Sequence, residues 1–329
     1  MSELHKFLFE GLPVRGILLR LTDAWKEILQ RRAQNAETGA YPQAVRQLLG
    51  EMTAGAVLMQ ANIRFEGALV LQIFGDGPLK LAVVEVQNDL SLRATAKVVG
   101  TLDETASLSQ MVNQNNQGKC AITLDPLKRH PGQQPYQGVV PLFDDNKQPI
   151  DQFQKVIEHY MLQSEQLDTT LILGANDEVA AGLLIQRMPM QGQNNLSAHH
   201  VLRDEDAIGK NEDYRRISIL ASSLTREELL SLDANALLHR LFWQENVRRF
   251  EPQVGDTAPR FSCSCSRERV SQMIRGLGQE EAQSILQERD NIEVGCDFCG
   301  LQYSFDPIDT DQIFSIPAGL QPPSTDAIQ

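Results

Sequence analysis

Phe261-Ser-Cys263-Ser-Cys265-Ser-Arg-Glu-Arg269 and, further on, Cys296-Asp-Phe-Cys299-Gly300 hold four of the five cysteines of this 329-residue chain. Paired thiols match the soft, tetrahedral ligation that Zn²⁺ prefers. A closed four-cysteine site holds structure, because no coordination position is left for water. Cys263, Cys265, Cys296 and Cys299 are therefore the candidate ligands of one Zn²⁺ per chain. The first pair is unusual in having a single serine between its sulfurs. Thiols that close are also poised to oxidise. The thiolate is the form that peroxide or hypochlorous acid attacks, and a disulfide closing so small a ring is strained and readily reversed. Spacing alone leaves a stabilising zinc ribbon and a redox switch both open.

Working outward, the cysteine module spans 254–329, too short to draw much stability from its own burial, so a staple such as zinc is expected to hold it folded. Upstream, 191–253 reads as a metastable helical linker. It opens on the polar run Gln191 to His200, which cannot bury apolar area. His199 and His200 lack a cysteine or acid at ligand spacing and read as a solvated pair. Tyr214, Ile217, Leu220 and Leu224 then share one helical stripe, Thr225-Arg-Glu-Glu228 is a capping box, and Asp233 caps a helix carrying Leu237, Leu238, Leu241 and Phe242. Helices this short are marginal alone in water and should be ordered only while docked on a neighbour.

Residues 1–190 form the main domain. Helical spacing recurs over 22–32 and 42–60, with Ala44, Leu48, Met52 and Ala56 in register. Strand-like runs follow at 68–74, 79–87 and 91–98, the first two joined by Gly75-Asp76-Gly77-Pro78, which predicts an antiparallel meander. Further strands are expected at 120–124, 138–142, 169–174 and 180–186, with a helix over 151–164. The fold class is α+β: a mostly antiparallel sheet with packed helices, then the helical linker, then the small Cys₄ zinc-binding domain. Cys120, in the apolar run Lys-Cys-Ala-Ile-Thr-Leu, reads as a small core hydrophobe.

Charge excludes one class of partner. The net charge is −13, and between 259 and 311 five arginines face ten carboxylates, a local excess of five negative charges around the thiols. A Cys₄ zinc centre adds further negative charge, so a nucleic-acid-binding zinc ribbon is not expected. The start MSELHKFLFEGL lacks a signal-peptide pattern and no long apolar run occurs, so neither export nor a membrane partner is expected and the cytoplasm is the natural compartment. No Gly-Lys-Ser/Thr phosphate loop, Gly-x-Ser-x-Gly elbow or His-Glu-x-x-His helix is present, and the chain is not expected to be an enzyme. A thiol-disulfide oxidoreductase remains a rival through Cys296-Asp-Phe-Cys299, and a zinc-ribbon interaction protein is the other.

With these residues in view, the chain resembles the redox-regulated 33-kDa chaperonin family. The likeness rests on the two cysteine motifs, Glu-Glu-Leu-Leu at 227–230, the segment 306–313, Gly16, Ala54-Gly55, the Gly75–Leu79 turn and Ala181-Gly182-Leu-Leu-Ile-Gln186. The resemblance implies a cytoplasmic, ATP-independent holdase, inactive while reduced and zinc-bound. It further implies that oxidation pairs Cys263 with Cys265 and Cys296 with Cys299, with zinc loss, linker unfolding, dimerisation and capture of unfolded client proteins. The chain departs from the family in its length and in the insert around Gln191 to His200. Apolar surface for clients must be masked at rest. Ile217, Leu220, Leu224, Leu237, Leu241, Phe242 and Trp243 are the candidate client-facing positions, although the same pattern also suits plain helix packing.

Overall fold

An antiparallel pair, β1 (Glu3–Phe9) and β2 (Val14–Leu21), opens the fold in the computed structural model, which describes residues 1–35, 38–128, 134–188, 209 and 211–315. The expected polar insert, with His199 and His200, lies outside the described residues. Contacts divide the chain into two units, Met1–Ser262 and Cys263 onward.

In the first unit the chain continues as α1 (Asp23–Gln34), α2 (Gln43–Asn62), β3 (Gly67–Phe74), β4 (Leu79–Val86), β5 (Ser91–Val98), α3 (Leu108–Val112), β6 (Lys119–Pro126), β7 (Tyr136–Pro141), α4 (Phe153–Gln163), β8 (Thr169–Ala175) and β9 (Ala180–Arg187). It ends with α5 (Glu212–Ser222), α6 (Arg226–Ser231), α7 (Ala234–Phe242), β10 (Val247–Arg249) and β11 (Arg260–Phe261). The expected antiparallel character holds, but the strands split into two sheets, ordered β10-β1-β2-β9-β8 and β11-β5-β4-β3-β6-β7. Among the described residues, only the two-residue pairing of β11 with β5 is parallel. The 68–98 meander forms as β3-β4-β5.

α2 is the centre of this unit. Fifteen of its twenty residues are buried, and a helix apolar nearly all round is a core helix rather than a surface one. It packs on strands of both sheets and, with them, builds the larger core from Trp25, Leu49, Met52, Leu58, Leu71 and Val84 among others. Cys120 is fully buried in this core, and burial pushes its thiol up to about 12, so it is an inert packing residue.

The other face of the first sheet carries a second core. Phe7, Phe9, Val14, Leu18, Leu183 and Ile185 meet the apolar stripes of α5, α6 and α7. Both faces of β9 are covered, and all of its residues except Arg187 are buried. Gly16 is required here. A Cβ at this position would lie 2.1 Å from the Phe7 ring, so glycine lets that ring lie flat across the strand pair and reach Phe9 and Phe242.

The three helices begin as their sequences demand. The Asn211 side chain accepts from Tyr214 N, Thr225 and Glu228 form a reciprocal capping box, and Asp233 accepts from Asn235 N and Ala236 N. Two arginines tie α6 to the sheet. Arg20 Nη1 donates to the carbonyls of Leu229 (3.4 Å) and Leu232 (3.0 Å), and the Arg226 guanidinium donates to Ala175 O. Thr170 Oγ1 bonds Tyr214 OH at 2.7 Å and Ser218 Oγ at 2.6 Å.

Glu51 of α2 makes the unit pH-dependent. Burial raises its carboxyl to about 7, with Arg226 pulling the other way. An unfolded glutamate titrates near 4.3, so the folded state holds the extra proton between these values and stability falls as pH rises through that window. Above about pH 7 the full penalty, on the order of 3–4 kcal/mol, is present; below about pH 4 it is gone. Glu51→Gln should therefore raise the urea midpoint at pH 8 and flatten its fall between pH 5 and 8. An unchanged slope in denaturation at those two pH values would rule this out.

Candidate metal centre and redox site

The second unit is small, and its core is correspondingly thin. After the first cysteine pair come α8 (Arg267–Leu277), α9 (Gln279–Glu288), β12 (Ile292–Gly295), β13 (Gln302–Phe305) and α10 (Pro307–Ser315). Among the described residues, Val270, Ile274, Ala282, Ile292, Phe305 and Ile313 form its hydrophobic core. Arg267 bridges the pieces, donating to Ser304 O (2.9 Å) and Asp309 (2.7 Å) while its guanidinium stacks 4.2 Å from the Phe305 ring centroid. Arg275 Nε donates to Ile313 O at 2.9 Å. Such surface ties are worth little individually.

Two local structures present the sulfurs. Cys263 and Cys265 lie in extended chain just before α8, whose first turn is capped by Ser266 accepting from Arg269 N. Cys296 and Cys299 occupy the turn between β12 and β13. Gly300 N donates to Cys296 O (2.8 Å) and Cys296 N to Leu301 O (2.9 Å). Gly300 holds φ at 74°, a left-handed value natural to glycine. This turn aims backbone N–H groups at the sulfurs: Phe298 and Cys299 at Cys296, Leu301 at Cys299.

All four Sγ atoms lie within 4.8 Å of one another. Cys263 and Cys296 are 3.7 Å apart, Cys265 and Cys299 3.2 Å. Tetrahedral ligands at about 2.3 Å from Zn²⁺ stand about 3.8 Å from each other, so the quartet already approximates such a cage. The Tyr303 hydroxyl adds a donor to Cys265 Sγ at 3.2 Å. Burial works against ionisation of Cys265, but the bonds from Tyr303 and the neighbouring thiols outweigh it and hold this thiol down to about 7. Burial pushes Cys296 and Cys299 up. Four sulfurs this close cannot all carry charge without a cation among them, and this donor set can hold a metal ion.

Cys296-Asp-Phe-Cys299 sits on a hairpin turn rather than at a helix N-terminus. It therefore lacks the helix dipole that activates thioredoxin-type motifs.

Of the seven candidate client-facing residues, Ile217, Leu224, Leu237, Leu241 and Phe242 are buried in the second core, Leu220 packs at its margin, and Trp243 is 66% exposed. The structure thus separates Trp243 from the rest. Tyr303 is the site residue that spacing does not reveal. A tyrosine four residues past a cysteine carries no signal until hairpin register places it. Among the described residues, no helix is long and apolar enough to cross a membrane.

Comparison with known proteins agrees over nearly the whole length. The family described as Hsp33 protein matches residues 2–306. Relatives named 33 kDa chaperonin include one from Chromobacterium violaceum, 44% identical over 313 residues (95% of this chain, 94% of the relative). One from Methylobacillus flagellatus is 42% identical over 315 residues with the same coverage. The crystal structure of the Thermotoga maritima 33 kDa chaperonin matches with a TM-score of 0.70 over 96% of this chain and 98% of that one; at 18% identity this is a likeness of fold. With its α+β architecture, its sulfur quartet and relatives matching 95% of its length, the chain belongs to the Hsp33 family.

Proposed function

We propose that this chain is a redox-regulated, ATP-independent holdase that keeps unfolding proteins from aggregating. The observation that carries the reading is the quartet of sulfurs within 4.8 Å that closes a unit with only a thin core of its own. Bound Zn²⁺ would hold Cys263, Cys265, Cys296 and Cys299 as thiolates and supply folding free energy to 254–329.

Peroxide provides the switch. Each disulfide takes one electron from each of two thiolates; the O–O bond of one hydrogen peroxide accepts the pair, and with two protons it leaves as two waters. Pairing Cys263 with Cys265 and Cys296 with Cys299 uses up all four metal ligands. The crowding of all four sulfurs makes these pairs reachable, and each pair is also adjacent in sequence. With the ligands gone, the thin core no longer holds the module. The linker over 191–253 follows, baring the stripe of Ile217, Leu220, Leu224, Leu237, Leu241 and Phe242 to clients, while Trp243 is accessible at rest. Dimerisation then keeps the exposed surface from collapsing on itself. Cytoplasmic placement fits free thiols, and the acidic surroundings of the quartet disfavour nucleic acid.

The test treats reduced protein with hydrogen peroxide under mild heat. About one zinc per chain should be released, two intramolecular disulfides formed, and light scattering from a denatured client suppressed without nucleotide. A reduced protein free of zinc, or an oxidised one that leaves client scattering unchanged, would refute the proposal.

A further inference from the structure

β11 ends the second sheet, and without it β5 would be the outermost strand. The cover is slight. Arg260 N donates to Leu90 O (3.3 Å) and Ser262 N to Leu92 O (2.9 Å). Side chains complete the seat. Phe261 packs against the larger core, and the Arg31 guanidinium of α1 lies 4.9 Å from its ring centroid. Arg260 pairs with the Asp89 carboxylate, which Ser91 fixes through N (3.0 Å) and Oγ (2.7 Å). A cavity of about 350 Å³ opens beside Phe261, with Asp23, Glu27 and Gly255 in its wall. Further along the same edge Ala96 N donates to the Tyr41 hydroxyl at 2.9 Å, so the seat ends before Ala96. An uncovered strand edge is a template for another extended chain, and edge pairing combined with side-chain pockets is a recurrent way of gripping peptides. The resting occupant is held by two residues and an exposed ion pair. It also lies inside 254–329, the stretch proposed to lose its fold.

We propose that the β5 edge is a client-binding site filled at rest by the chain's own Arg260-Phe261, and that an extended client segment takes its place once 254–329 unfolds. The client runs parallel to β5, with an aromatic ring in the Phe261 position beside Arg31 and a basic residue before it facing Asp89. This rests on the holdase reading. The resting occupant defines the chemistry of the site. Unfolding proteins offer what such a seat takes: unpaired backbone groups and large apolar side chains that their native folds bury. Asp23, Glu27 and Asp89 favour a basic neighbour over an acidic one. The displaced segment stays tethered and competes at high local concentration. A client that pairs over more than two residues has the advantage. Unlike the stripe of α5 to α7, this seat belongs to the first unit and stays folded when the linker opens.

The experiment places the photo-crosslinker p-benzoylphenylalanine at position 23 of the full chain, an exposed site in the cavity wall. In the reduced, zinc-bound protein, irradiation should couple it to the chain's own 255–261. After peroxide and mild heat with a denatured client, it should couple to the client instead. The same probe at the exposed Lys155, on the α4 helix that packs on β8, should capture no client. Equal capture at 155 and 23, or none at 23 in a chain that suppresses client scattering, would overturn the proposal. A chain that suppresses no scattering would instead overturn the holdase reading beneath it. A charge swap gives a second readout. The oxidised chain should bind labelled Asp-Thr-Ala-Pro-Arg-Phe-Ser, the sequence of 256–262, about three-fold tighter than the same peptide with aspartate in place of arginine, the effect of one exposed ion pair. Asp89→Arg should reverse that order. Equal binding of the two peptides, or a preference that survives the swap, would refute the site.

Discussion

Replacing Cys263 and Cys265 together by serine should leave the reduced protein without zinc and its second unit unfolded. A serine hydroxyl does not ionise near neutral pH and is no substitute for a thiolate, so two ligands of four are lost. Structural zinc sites contribute on the order of 10 kcal/mol or more of folding free energy. Whole domains are stable by about 5–15 kcal/mol, and this unit has a thin apolar core and exposed ion pairs. On the proposed reading, the metal term therefore decides whether it folds. Zinc stoichiometry should fall from about one to near zero. Amide protection should vanish across 263–315 while α2, in the core of the first unit, keeps its own. Cys120→Ser is the control. It buries a hydroxyl in the main core at a cost of about 1–3 kcal/mol, yet should leave zinc stoichiometry unchanged. Full zinc content in the double variant would dismiss the assigned ligands.

The quartet is legible in the sequence because metal ligation demands particular atoms at short spacing, and that demand survives in the residue order. The same holds for α2, whose apolar positions recur with helical period, and for the caps at Thr225 and Asp233, which act within three residues. β1 and β2 are not legible in that way. Their sheet is covered on both faces, which erases the two-residue alternation that marks a half-buried strand. Polar residues further disguise β1. His5 bonds Glu3 at 3.0 Å and Arg249 at 3.1 Å, and Lys6 Nζ donates to Ala61 O, partners mostly far away in the chain. β10 and β11 are three and two residues long, with no local pattern to detect. The helical stripe of α5 to α7 shows in the sequence that an apolar face exists; the structure adds that the first sheet covers it, and that Trp243 points away.

Phe242→Ala should activate the reduced, zinc-bound protein without any oxidant. Phe242 is buried at the end of α7, edge-on to Phe9 with ring centroids 5.0 Å apart and tilted against Phe7 at 6.1 Å. Truncating a phenylalanine so placed costs about 3–5 kcal/mol, because the lost transfer energy is joined by a cavity that rigid neighbours cannot fill. The loss falls on α5 to α7, short helices that depend on docking, while the larger core around α2 does not include Phe242. Hydrogen exchange should therefore quicken over 212–242 with α2 and the zinc content unchanged, and client light scattering should fall without peroxide. Trp243→Ala, one residue on but 66% exposed, should move stability by no more than about 0.5 kcal/mol and leave the resting state silent. Two outcomes would sink the masking role of these helices. One is a Phe242→Ala protein with normal protection and no activity. The other is one in which α2 loses protection together with 212–242, since linker and body would then be a single cooperative unit with nothing to release separately.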